Sequence, residues 1–374
     1  MKLAFGSTLL DRDQNSAGLD GIGQYCQALL NQFINNPALN TNLVVKPFSF
    51  GVKNTFCQAQ ILPPYPTYAI QALIMGPNST ANNFFKKIDL IHATDQLIPL
   101  VNHVPLIATI YDTIPLSHPQ FLKIRSRYIK PKIWKALTQR ANHIIAISEF
   151  SKNSIMEYFK FPEKHISVIP IGVSENYYES INTLRIEKTL FGFNITKPFF
   201  LFIGSIQPRK NIKALLDAHA RLPKNLALQY PLVIAGKLAW SDSETLAKIN
   251  LAMQEGRCHW LKYVSEFEKR CLLQSALALV LVSLYEGFGM PIIEAFASGL
   301  PVITSNCTAM SEVANQAALL VNPHEQSEIT EALLALIESE TMRLDLKRAG
   351  LKRARLYSWE SNAKATIQAY QAIL

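Results

Sequence analysis

The sequence predicts an α/β protein of two doubly wound, Rossmann-like parallel-sheet domains facing each other across a cleft. Three observations carry that expectation. Short runs rich in Val, Ile and Leu alternate with helical patterns along the whole chain, as they do when strands are covered on both faces by crossover helices. A length of 374 residues exceeds one ordinary core and suits two. With 49% hydrophobic and 17% charged residues and no low-complexity tract, the composition excludes a disordered chain.

In the first half, apolar runs predict strands at 2–5, 43–46, 90–92, 106–110, 144–147 and 167–169, with helices between them. Residues 181–197 are weakly patterned and end at Lys197-Pro198, so they are expected to be a linker. The second half predicts strands at 199–203, 232–235, 260–263, 277–282, 302–304 and 318–320. The expected organisation is therefore an N-terminal domain at 1–180, the linker, a C-terminal domain at 198–355, and a final helix at 356–374 that packs back on the N-terminal domain. Ligands of such sheets bind outside the carboxyl ends of the strands, which places the chemistry in the cleft.

Five scattered cysteines, with no C-x-x-C or Cys/His spacing, read as reduced thiols rather than a zinc site. The N-terminus passes from a short strand into polar residues without a signal-peptide core, so a cytoplasmic protein is expected. The longest apolar run, 275–284, is about half of the ~20 residues that span a bilayer. A net charge of +9 suits an anionic ligand, and no nucleic-acid module accompanies it. Residues 121–140 carry seven Lys and Arg and no acid, interleaved with Ile124, Tyr128, Ile133 and Trp134. Two readings are open there, contact with an anionic membrane or a solvated helix face, and Pro131 divides the pattern.

Two segments could carry chemistry. After the strand at 199–203 come Gly204-Ser205-Ile206-Gln207-Pro208-Arg209-Lys210-Asn211 and then a helical pattern. A helix N-terminus with a guanidinium fork and an ammonium suits a diphosphate, although two cations at a loop also occur as solvated residues. The second is Glu286-Gly287-Phe288-Gly289-Met290-Pro291-Ile292-Ile293-Glu294, in which Pro291 is expected to open a helix and Glu294 to lie in its first turn. Its carboxylates could accept sugar hydroxyls; an acid in a first turn also serves the helix dipole. In the N-terminal half, Gly21-Ile22-Gly23 precedes a helical run, but Cys26 stands where a dinucleotide fingerprint has Gly or Ala.

These residues resemble the family 4 retaining glycosyltransferases of GT-B fold. The E-x7-E signature matches Glu286 to Glu294, the G-x-x-x-P-R-K-N loop matches 204–211, and 147–152, 168–173 and 300–305 resemble further elements in the same order. The resemblance covers nearly the whole chain. It implies that Arg209 and Lys210 hold the donor diphosphate, that Glu294 holds the ribose, and that Glu286 with the backbone of Phe288, Gly289 and Met290 meets the transferred sugar. By the same resemblance, Tyr263 and Val264 belong to the nucleobase loop, where Tyr263 could equally be core. The resemblance also implies that Gly21 and Gly23 lie near the diphosphate and acceptor.

The chain departs from the family at several places. Tyr111-Asp112-Thr113-Ile114-Pro115 resembles the H-D-x-x-P element with Tyr111 in place of His, so Asp112 can orient sugar or acceptor while an imidazole role does not transfer to Tyr111. His92 is either a cleft imidazole near the acceptor or a structural histidine. Ile171 replaces the Asn common in I-P-N-G-V. Asp11-Arg12-Asp13 has the form of a D-x-D metal motif, but the family resembled needs no metal and no cofactor beyond its nucleotide-sugar co-substrate, so these residues read as a solvated loop or acceptor contact. The motif style is nearest to mannosyltransferases of bacterial polysaccharide assembly, which implies transfer of mannose from GDP-mannose to a glycan or lipid-linked glycan. The alternatives are a nucleotide-sugar hydrolase or epimerase and a non-catalytic assembly subunit.

Overall fold

The computed structural model describes residues 1–12, 19–39, 42–52, 57–74, 79–122, 129–240 and 243–374. They form two compact units, Met1–Gly172 with Ser358–Leu374, and Val173–Tyr357. In the first unit, β1 (Lys2–Gly6), β2 (Val44–Phe50), β3 (Gln60–Leu62), β4 (Leu90–Ala93), β5 (Leu106–Ile110), β6 (His143–Ala146) and β7 (Ile166–Val168) make a parallel sheet of order β3-β2-β1-β4-β5-β6-β7. Every residue of β4, β5 and β6 is buried, so these strands read as mainly apolar runs rather than alternating ones, with His92, Thr109 and His143 as their polar members.

In the second unit, β8 (Phe200–Ile203), β9 (Leu232–Ala235), β10 (Cys258–Lys262), β11 (Ala278–Leu281), β12 (Val302–Ser305) and β13 (Leu319–Val321) form a parallel sheet of order β10-β9-β8-β11-β12-β13. Strand order reverses between β1 and β4 in one sheet and between β8 and β11 in the other. At such a point the two following loops part to opposite faces and leave a crevice at the carboxyl ends of the strands.

The helices that matter to the sites are α1 (Gly21–Asn35), α2 (Thr183–Gly192), α3 (Ile212–Ala220), α4 (Glu266–Ser275), α5 (Met290–Ala297) and α6 (Trp359–Gln371). Helix α1 buries Tyr25, Cys26, Leu29, Leu30 and Phe33, one apolar stripe at helical spacing. Helix α6 covers that stripe, with Trp359 against Tyr25 and Tyr370 against Phe33.

The residues expected to be a linker, 181–197, contain α2 instead and group with the second unit. The chain passes between the units at Gly172/Val173 and again at Tyr357/Ser358. A Cβ on Gly172 would lie 2.3 Å from the backbone nitrogen of Trp359, so only glycine fits. Strand β3 had no counterpart in the apolar runs.

In the basic stretch, 123–128 lie outside the described residues. A helix at Ile129–Thr138 runs through Pro131 rather than breaking there, because a proline in a first turn sacrifices no intrahelical donor. Its Trp134 turns inward against Phe159, 4.8 Å between ring centroids, so that aromatic is core. No helix of the described residues is long and apolar enough to cross a membrane. The five cysteines are free thiols.

Candidate active site

The crevice between β8 and β11 gathers the first set of site residues. Arg209 and Lys210 sit on a single 3-10 turn, Pro208–Lys210, that links Gly204 to α3. Asn211 ends the turn in the left-handed region at φ 57° and donates through Nδ2 to the carbonyls of Val282, at 3.1 Å, and Pro323, at 2.8 Å. Leu284 N–H donates to the Arg209 carbonyl at 2.7 Å, so the two loops are tied backbone to backbone. The approach is close on the other side as well, since a Cβ on Gly236 would lie 1.8 Å from the Gly204 carbonyl oxygen.

Glu286 lies at the focus of these loops. Its Oε2 accepts from Arg209 Nη1 at 2.7 Å, and its Oε1 accepts from Lys210 Nζ and, at 3.1 Å, from Ser283 Oγ. Arg209 Nη1 also donates to the Tyr285 carbonyl at 3.1 Å. Burial alone would raise the Glu286 carboxyl, yet the two cations overcome it and hold the group down at about 2, ionised at neutral pH. Two basic side chains meet on this one carboxylate in a mostly desolvated crevice, where an anion is attracted by a cation far more strongly than in water.

The second carboxylate, Glu294, stands 5% exposed on α5. Gly289 is the N-cap of this helix and Met290 its first residue, so Pro291 occupies the second position and Glu294 the fifth. The first-turn expectation is corrected accordingly. The dipole explanation for an acid loses its force beyond that turn, and Glu294 has side-chain partners instead: Lys269 Nζ at 2.9 Å and the Tyr177 hydroxyl at 3.0 Å. Phe288 is buried edge-to-face against Tyr357. Tyr263 is not core: it is 48% exposed, with Lys237 Nζ 4.7 Å over its ring, and half-buried Val264 follows it.

In the first unit, α1 begins at Gly21, and its N-cap Asp20 accepts the Gly23 N–H at 2.8 Å. A fixed carboxylate therefore already serves this terminus. Tyr111 donates its hydroxyl to the Thr94 carbonyl at 2.7 Å and packs edge-on to Tyr25, which makes it an anchor of its own unit. Asp112 is half-buried and accepts the Ile114 N–H at 3.0 Å. His92 is fully buried, and its two ring nitrogens are hydrogen-bonded to Tyr370 at 2.7 Å and Thr109 at 2.8 Å. The structural reading of this histidine is the one the fold carries; no edge of the ring remains to meet an acceptor. Asp13 lies outside the described residues, so Asp11-Arg12-Asp13 gains no geometry.

Sequence reasoning missed Asp95, a buried carboxylate just past β4, and the partners of Glu294. Spacing offered one signal. Glu266 and Lys269 fall three apart behind a Ser265-x-x-Glu268 capping box, which puts both on one face of the first turns of α4.

Comparison with known proteins identifies the family and the fold. Residues 186–353 match the family described as glycosyl transferases group 1, and residues 46–177 match glycosyltransferase family 4. O-antigen chain mannosyltransferase B of Escherichia coli is 31% identical over 266 residues, covering 70% of this chain and 68% of that protein. Serotype-specific mannosyltransferase WbdA of Escherichia coli is 26% identical over 63% of this chain, which spans only 29% of WbdA. Among solved structures, Anabaena HepE in complex with UDP-glucose superposes over the whole of both chains with a TM-score of 0.77 at 17% identity, a likeness of fold. With two glycosyltransferase family matches laid one on each parallel-sheet unit and an O-antigen relative spanning both, the chain belongs to the family 4 glycosyltransferases and has their GT-B fold.

Proposed function

We propose that the enzyme transfers mannose, with retention of configuration, from GDP-mannose to a glycan or lipid-linked glycan of a bacterial polysaccharide. The observation that carries the reading is the Arg209–Glu286–Lys210 cluster at the β8/β11 crevice, a preorganised pair of basic side chains at the helix end where a diphosphate fits. The choice of mannose is supported by the mannosyltransferase relatives of Escherichia coli.

In this reading Arg209 and Lys210 take the diphosphate and its developing charge, a task that divalent metal performs in other transferases, so no metal cofactor is needed. Glu286 meets the transferred sugar beside the Phe288, Gly289 and Met290 backbone, Glu294 takes the ribose hydroxyls, and Tyr263 with Val264 flanks the base. The anomeric C–O bond to phosphate breaks as the acceptor oxygen forms the new glycosidic bond on the same face, and the departing phosphate oxygen takes the acceptor proton. Asp112 orients the acceptor hydroxyl. The cytoplasm is the assigned location, with the basic residues of 121–140 as the candidate contact to anionic lipid.

The test is release of nucleoside diphosphate with and without acceptor. Release that requires acceptor supports transfer, and release without it indicates hydrolysis. Tyr111 favours a second reading, since it fills the family's histidine position with a hydroxyl committed to Thr94. A chain that binds GDP-mannose yet releases no GDP under either condition would be that non-catalytic subunit. Arg209→Ala is expected to lower kcat by about 10²–10³-fold, as for other preorganised charge contacts; turnover unchanged by it would refute the assigned role.

A further inference from the structure

Within the second unit, Glu294 belongs to a group of four side chains, three of them buried and the fourth, Glu266, at the surface. Lys269 Nζ lies 2.9 Å from Glu294 Oε1 and 3.0 Å from Glu266 Oε2, and 5.2 Å over the ring of Tyr177. The Tyr177 hydroxyl reaches both Glu266 and, at 3.0 Å, the same Glu294 Oε1. Tyr177, Lys269 and Glu294 are each at most 9% exposed. Both contacts to Glu294 therefore converge on one oxygen, and no hydrogen bond or ion pair among the described residues engages Oε2.

A carboxylate held at one oxygen by an ammonium and a phenol cannot rotate about its last torsion without breaking two charge-assisted contacts. Its second oxygen then has a fixed position, which is what recognition of a rigid ligand requires. We propose that Tyr177 and Lys269 are positioning residues that lock Glu294 through Oε1 and so reserve Oε2 for a ribose hydroxyl of the donor nucleotide. This rests on the ribose role given to Glu294 above. The hydroxyl of Tyr177 has one proton for two carboxylates, while Lys269 offsets one of the two charges. Donation from Tyr177 to Glu294 thus fills the oxygen that the ligand does not use. Loss of either positioning group lets the carboxylate turn, and discrimination for the ribose is lost before nucleotide binding as such.

Calorimetric titration of GDP and of UDP, each beside its 2′-deoxy and 3′-deoxy forms, tests this on the full chain and on Y177F, K269M and E294Q, with a melting curve to show that each variant is folded. In the unaltered protein one deoxy form should bind about tenfold more weakly than the ribonucleotide, the ~1.4 kcal/mol of one charge-assisted hydrogen bond. That preference should shrink to within about twofold in Y177F and K269M, as it should in E294Q. Y177F removes a single oxygen and leaves its ring over Lys269, so it decides the matter should K269M fail to fold. Full preference retained in Y177F but lost in E294Q would overturn the positioning roles and leave Glu294 as the ribose ligand. Full preference retained in E294Q would remove the ribose role itself, and the positioning roles with it.

Discussion

His92 shows what one buried side chain does to the response of the whole protein to acid. Burial holds its imidazole far below the ordinary value, down to about 3, so the folded unit keeps it neutral while an unfolded chain protonates near 6.5. The unfolded state binds the extra proton between those values, so the stabilisation is complete above about pH 6.5 and is lost as pH falls. Unfolding in urea at pH 7 and pH 5 should show a loss of about 2 kcal/mol from this group, and the pH dependence should flatten in His92→Gln. A slope unaltered by the substitution would place the proton uptake elsewhere. The same residue marks a limit of sequence reading: a histidine at the end of an apolar run looks alike whether its ring faces a ligand or two hydroxyls, one of them 278 positions away.

At the scale of elements, α4 links folding to the site. Ser265 Oγ accepts the Glu268 N–H and Glu268 Oε2 accepts the Ser265 N–H at 2.7 Å, closing a capping box in front of the turns that carry Glu266 and Lys269. Ser265→Ala should cost about 1 kcal/mol of stability and raise the donor KM with little change in kcat, measured by urea titration and steady-state kinetics. Most strands were legible because parallel strands buried on both faces are mainly apolar runs. Strand β3 was not, since it is an edge of three residues with Gln60 and Ile61 exposed. Arg209, Lys210 and Glu286 of the β8/β11 crevice were legible because each comes from one continuous run of strand, loop and helix start. Tyr177 was hidden: Glu175-Asn176-Tyr177-Tyr178-Glu179 reads as surface, and its partners come from helices about 90 and 117 residues on.

For the whole molecule, the two places where the chain passes between units are the sensitive ones. Gly172 backs directly on Ser358 and Trp359, and Val173 N–H donates to the Tyr357 carbonyl at 3.1 Å. Gly172→Ala has no rotamer with which to escape, because a Cβ has no torsion of its own, and should cost about 3 kcal/mol or more in the first unit. Scanning calorimetry should show that loss as a transition moved to lower temperature, and an unmoved trace would mean the backbone yields at small cost. The linker expectation failed here for a physical reason: weak patterning marks polar surface, and α2 is a helix with no buried residue.

Helix α6 follows the whole second unit in the chain, yet its Trp359 and Tyr370 complete a core that Tyr25 and Phe33 begin. The first unit accordingly cannot finish folding before residues 358–374 have been made. Until that helix emerges, the sides of Tyr25 and Phe33 that it covers stay open to water or a chaperone, and His92 waits for its second hydroxyl. A nascent chain arrested before residue 358 should therefore be protease-sensitive in its earliest residues while its later ones already resist.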